Sequence, residues 1–101
     1  MKLWLDDTRD PVRCGRIGWT WVKTADEAIA LLATGQVRKA SLDHDLSIAA
    51  TLGNPAADER TGYTVVCWME QNNMWPPEGV ETHSMNPVGR RRMIDVIARH
   101  Y

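Results

Sequence analysis

Residues 2–7 read Lys-Leu-Trp-Leu-Asp-Asp, and residues 39–45 read Lys-Ala-Ser-Leu-Asp-His-Asp. Both are short stretches of strand character that run straight into carboxylates, so strands are expected over 2–6 and 39–43, each ending in acid. Between them, residues 8–18 hold Pro11, Gly15 and Gly18 and read as a polar connection, while 19–23 (Trp-Thr-Trp-Val-Lys) have the aromatic and β-branched content of another strand. Thr24 followed by Glu27 reads as a capping box opening a helix with an apolar stripe of Ala25, Ala28, Ile29 and Leu32, stopped at Gly35.

Beyond the second acid cluster, residues 44–60 form a long connection, and a loop of that length in a small domain is often functional. A second helix follows over 61–73, with Gly62, Val65, Val66 and Met69 on one stripe and Trp75-Pro76-Pro77 ending it. Residues 79–84 are a weak strand. Asn86 then offers an N-cap with Pro87 at the first helical position, and Ile94, Ile97, Ala98 and Tyr101 are expected to face inward from the last helix. Strands alternating with helices predict a parallel sheet with right-handed crossovers. Glu81 does not suit a strand covered on both faces, so the fourth strand belongs at an edge, and the order 2-1-3-4 follows. Ligands of such sheets bind beyond the carboxyl ends of the strands, where the winding direction changes. Here that point lies between the acidic ends of strands one and three.

Composition narrows the class. The 101 residues are 44% hydrophobic and 25% charged, which fits one folded domain over 1–101 and excludes disorder. Twelve basic against thirteen acidic residues give a net charge of −1, so there is no electrostatic case for duplex DNA or an anionic membrane. No apolar run approaches the roughly 20 residues of a membrane span, and no signal peptide is read at the start. Cys14 and Cys67 make neither a disulfide framework nor a zinc knuckle, and neither has a base beside it; a reducing cytoplasm is expected. Five Trp and no Phe suggest indoles used as core bulk, with one as the candidate floor of a ligand pocket.

Two constellations carry chemistry. Asp6, Asp7, Asp43 and Asp45 converge if the topology holds, and carboxylates that close must share a proton or bind a cation. Hard oxygen donors suit Mg²⁺ or Mn²⁺. Turn chemistry alone explains any single acid; the crevice position of both clusters together favours the metal. The second constellation, Thr82 to Pro87, is a strand end feeding a capped helix start, a position suited to phosphate, with Ser84, Asn86 and Arg90 as candidate binders. An ordinary cap at Asn86 is the simpler alternative. His44 and His83 are the candidate acid and base. Arg9 suits either a carboxylate anchor or a phosphate ligand.

The acid pair Asp6–Asp7, the acid Asp43, Gly62 at a helix start and the hydroxyl of Ser84 together resemble a receiver domain of two-component signalling. The chain ends one strand and one helix earlier than ordinary receivers, without the usual lysine, has no helix between its first two strands, and follows Asp43 with His-Asp-Leu where receivers carry a nearby Pro. It more closely resembles the cyclic-phosphate-processing receiver domains. Their Leu-Asp-Asp-x-Arg, Leu-Asp-His-Asp-Leu, Thr-Gly-Tyr and His-Ser-x-Asn-Pro-x-Gly motifs stand here as Leu5–Arg9, Leu42–Leu46, Thr61–Tyr63 and His83–Gly89. The resemblance implies an α/β, three-layer flavodoxin/receiver-like parallel sheet of about four strands in order 2-1-3-4 with three helices. It also implies a Mg²⁺- or Mn²⁺-dependent hydrolase acting on a phosphate-ester small molecule or an RNA end, such as a cyclic nucleotide or a 2′,3′-cyclic phosphate. The alternatives are a degenerate signalling receiver phosphorylated on Asp43 and a non-enzymatic interaction module.

Overall fold

The computed structural model describes residues 1–43, 61–84 and 86–101; the 44–60 connection, with His44, Asp45, Glu59 and Arg60, lies outside the described residues, as does Met85. The elements are β1 (Lys2–Leu5), β2 (Thr20–Val22), α1 (Ala25–Ala33), β3 (Lys39–Leu42), α2 (Gly62–Asn72), β4 (Val80–Thr82) and α3 (Pro87–His100). The four strands form one parallel sheet in the order β2-β1-β3-β4, the receiver-like arrangement expected from the acid-ended strands. No helix of the described residues is long and apolar enough to cross a membrane.

Alternation along the central strands divides the sheet into two unlike faces. Leu3 and Leu5 of β1 and Ala40 and Leu42 of β3 join Ala28, Leu32, Val65, Val66, Met69, Met93 and Val96 in one apolar cluster beneath the three helices. On the opposite face the register sets Trp21, Trp4, Ser41 and Glu81 in a row across all four strands. The connection between β1 and β2 covers this row as a third layer, in place of a helix. Trp19 meets Trp4 edge-on at 6.1 Å, and Arg16 pairs with Glu81 at 2.9 Å while lying over the Trp19 ring. A short 3₁₀ turn, Val12–Cys14, gives this connection its only regular segment, and Gly15 closes it at φ 78°, a value that favours glycine.

Several local expectations are corrected. The indoles serve only partly as core bulk: Trp4 is buried on the face it shares with Trp21, Trp68 and Trp75 pack against the apolar cluster from its margin, and Trp19 lies over Trp4. Thr24 caps α1 through Glu27 N at 3.1 Å, but the Glu27 carboxylate accepts the Thr24 hydroxyl rather than closing the box; the complete capping box is Thr61 with Thr64 on α2. Asn73 in the left-handed region, not the Trp-Pro-Pro run, ends α2. The inward stripe of α3 is Gly89, Met93 and Val96, with Ile97 half-buried, whereas Ile94, Ala98 and Tyr101 are exposed. Starting the stripe one residue out of phase rotates it by about 100°, enough to turn Ile94 outward.

Candidate metal centre and its histidine

The sheet carries its acids to one place by hydrogen bonding rather than by turn propensity alone. Asp6 N donates to Val22 O at 3.1 Å, extending the β1–β2 ladder, and Asp43 N donates to Leu5 O at 2.9 Å, extending the β1–β3 ladder. Oxygen atoms of Asp6, Asp7 and Asp43 consequently lie within 4.8 Å of one another, with Asp6 and Asp43 buried and Asp7 half-buried. Gly62 braces this arrangement. A Cβ there would collide with the Asp43 carbonyl oxygen and stand 3.1 Å from Met93 Cε, so only glycine lets α2 begin against the end of β3.

Asp6 is held on every side. Its Oδ1 accepts the backbone N–H groups of Thr8 and Arg9, both at 2.9 Å, and its carbonyl oxygen accepts Trp21 Nε1–H at 2.7 Å. Its Oδ2 lies 3.0 Å from His83 Nε2 and 4.0 Å from Arg9 Nε. These donors offset the repulsion that the neighbouring carboxylates impose on a fully buried charge.

His83 follows β4 and turns its ring onto the Trp4–Ser41 face. The imidazole stacks on Trp4 with centroids 3.9 Å apart and planes 4° from parallel. Its Nδ1 is 2.8 Å from Ser41 Oγ. The backbone is held too, because His83 N donates to Leu42 O at 3.0 Å and its carbonyl accepts Arg9 Nη1 at 2.9 Å. Burial pushes the imidazole below its ordinary pKa of 6.5, against the upward pull of its hydrogen bond to Asp6. Arg9 thus serves as an anchor of Asp6 and His83.

The phosphate candidates sit at the start of α3. Ser84 is buried and its Oγ accepts Asn86 N at 3.1 Å, while Asn86 Oδ1 accepts the amides of Val88 and Gly89, each at 3.1 Å. Ser84 and Asn86 therefore build the cap of the helix, and Arg90 is exposed one turn in. On the β1–β2 side, a cleft of about 390 Å³ is lined by Thr8, Arg9, Asp10, Arg13, Cys14 and Trp21, the first of these following Asp7 in the chain. His44 and Asp45 lie outside the described residues.

Ser41, Trp4 and Trp21 were not anticipated as parts of the site. The signal for Ser41 was present: a lone hydroxyl in the strand between Ala40 and Leu42, on the face that carries Trp4 rather than Leu3 and Leu5.

The acid cluster fits a hard divalent cation. Its donors are carboxylate oxygens alone, clustered and partly exposed through Asp7, with Asp6 already oriented by its amides. A family model described as cyclic-phosphate processing receiver domain matches residues 1–99. No curated protein and no solved structure matches the chain.

Proposed function

From the premise that the chain belongs to the cyclic-phosphate processing receiver domain family, we propose that it is a metal-dependent hydrolase of cyclic or terminal phosphate esters. The observation that carries this reading is the convergence of Asp6, Asp7 and Asp43 at the carboxyl ends of the two central strands. These three residues hold Mg²⁺ or Mn²⁺, with Asp45 as a further ligand or a partner of one. When bound, the ion polarises a phosphoryl oxygen and lowers the pKa of a water.

The chain's own groups do the rest. The Asp6 carboxylate is held before substrate arrives by amides and an imidazole, and the Asp43 backbone by the β-ladder and Gly62, which reduces the ordering left to the reacting state. The cleft bearing Arg9, Arg13 and Trp21 has room for the non-reacting part of an ester and the charge to attract an anion. Arg90, exposed beside the Ser84–Asn86 cap, is the group of that trio placed to meet a phosphate from solvent. His44 handles the proton of the attacking water or the leaving oxygen, and His83 stands behind Asp6. Hydrolysis of a cyclic diester consumes one water and leaves a monoester and a free hydroxyl.

The test is a screen of 2′,3′- and 3′,5′-cyclic nucleotides and phosphate-terminated RNA ends with Mg²⁺ and Mn²⁺, beside an Asp43→Ala control. Turnover that needs both metal and Asp43 is expected. No turnover on any ester, together with covalent labelling of Asp43 by acetyl phosphate, assigns the domain instead to a regulatory receiver role. Neither turnover nor labelling returns it to an interaction module.

A further inference from the structure

We propose that Ser41 is a positioning residue: its hydroxyl donates to Nδ1 of an imidazole that Asp6 holds in the Nε2–H tautomer, and so seats the ring that fixes Asp6 as a member of the acid cluster. The inference deepens the metal-centre reading and rests on it for its consequence, but the proton placement is a property of the metal-free chain.

Ser41 is wholly inaccessible in the middle of a central strand, where a hydroxyl lowers stability unless it is bonded. It stands 2.8 Å from His83 Nδ1, across from Trp4 and Glu81 in the strand register. An ionised carboxylate can only accept, and Asp6 Oδ1 already takes two backbone amides. Its Oδ2, 3.0 Å from His83 Nε2, therefore needs the proton to sit on Nε2. The other neutral tautomer sets the ring's lone pair against those of the carboxylate. With Nε2 protonated, Nδ1 carries the lone pair, and the Ser41 hydroxyl is the donor that matches it. The chain of donation runs from Ser41 Oγ–H to Nδ1 and from Nε2–H to Asp6.

Other contacts leave the ring no freedom to undo this order. Trp4 stacks parallel to it at 3.9 Å, and Arg9 and Leu42 hold its backbone on both sides. Both ring nitrogens are thus committed to the protein. His83 orients Asp6 instead of exchanging protons with a substrate. A histidine whose second nitrogen is fixed by a hydrogen bond is the usual partner of a metal site, where loss of such support weakens metal affinity about 10–100-fold. Here the order is inverted, with the carboxylate as ligand and the imidazole as support.

The experiment uses the full chain labelled with ¹⁵N. Long-range ¹H–¹⁵N spectra of the metal-free protein at pH 7.5 should show His83 with Nε2 protonated and Nδ1 bare. Ser41→Ala should keep Nε2 protonated but move the Nδ1 resonance as its hydrogen-bond donor is lost, while the protein still unfolds cooperatively. Calorimetric titration with Mg²⁺ and Mn²⁺ should then show affinity about 10–100-fold weaker for Ser41→Ala and near-native affinity for Ser41→Thr. Where Ser41→Thr fails to fold, His83→Gln serves, because its amide presents an N–H in place of Nε2–H and should keep more affinity than His83→Leu. A wild-type ring protonated on Nδ1 overturns the proposal, as does wild-type metal affinity in Ser41→Ala. A wild-type chain that binds neither metal refutes the metal-centre reading instead, and the change in the Nδ1 resonance on Ser41→Ala alone then decides the Ser41–His83 link.

Discussion

The two faces of the sheet are made from alternate residues of the same two strands, yet different physics holds them. Beneath the helices, Leu3, Leu5, Ala40 and Leu42 are buried among other apolar side chains, and the stabilisation is non-directional and spread over many contacts. On the other face Trp4, Asp6 and Ser41 are equally buried, but their neighbours are an imidazole, a guanidinium and backbone amides. There, order depends on where single protons sit. A connection covers this face where the opposite one has the three described helices, and that connection carries most of the lining of the cleft at Thr8–Asp10 and Trp21. The helix face supports the fold; the connection face aims the acids.

The contrast predicts that damage to one face spares the function of the other. Leu3→Ala should give the largest loss of stability, about 2–5 kcal/mol by urea unfolding, with metal affinity kept. A tenfold fall in that affinity would show that the faces are not independent. Mg²⁺ at a hundred times its Kd should add about 2.7 kcal/mol to wild-type stability, read as a raised Tm, and Asp43→Asn should abolish the gain. A wild-type Tm indifferent to Mg²⁺, Mn²⁺ and chelator counts against the metal centre.

Gly62→Ala tests a place where the faces meet, since α2 of the apolar side presses on the Asp43 backbone. It should cost about 1–3 kcal/mol and weaken metal binding as well, unlike Leu3→Ala. Loss of stability with intact affinity would mean that α2 and Asp43 move apart together without disturbing the acids.

The smallest effect is a pH dependence. Burial holds His83 below its ordinary pKa of 6.5, so the unfolded chain takes up this proton at a higher pH than the folded one. The stability contribution is whole above pH 6.5 and is lost as pH falls from there toward the folded pKa. Urea midpoints of the chelator-treated protein between pH 7.5 and 5.5 should fall more steeply for wild type than for His83→Gln. The reverse order would mean that Asp6, not burial, governs the ring.

Much of this molecule was legible from residue order. Two acid-ended strands and Glu81 sufficed for the order 2-1-3-4, because strand termini and edge positions leave chemical marks in a local window. The convergence of Asp6, Asp7 and Asp43 followed from that topology. The last helix was harder. Its stripe contains Gly89, which carries no hydrophobic signal, and a pattern counted from Ile94 selects the wrong side. Cap chemistry at Thr24 and Thr61 was similarly ambiguous, since both sites have a hydroxyl in the right place and differ in what the third residue's side chain can reach.

Sequence by itself determined the order of the described strands and helices, the parallel sheet and the meeting of Asp6, Asp7 and Asp43, since each depends on short-range pattern and on chain topology. Tertiary structure alone decided the partners of those carboxylates. His83 lies 77 residues from Asp6 and 42 from Ser41, and no local pattern links them. The parallel register sets Ser41 beside Trp4, and His83, continuing the β3–β4 ladder, lays its imidazole on the indole with one nitrogen toward Ser41 and the other toward Asp6. Hydrogen bonds act over about 3 Å, so their pairing is decided only when distant segments have packed.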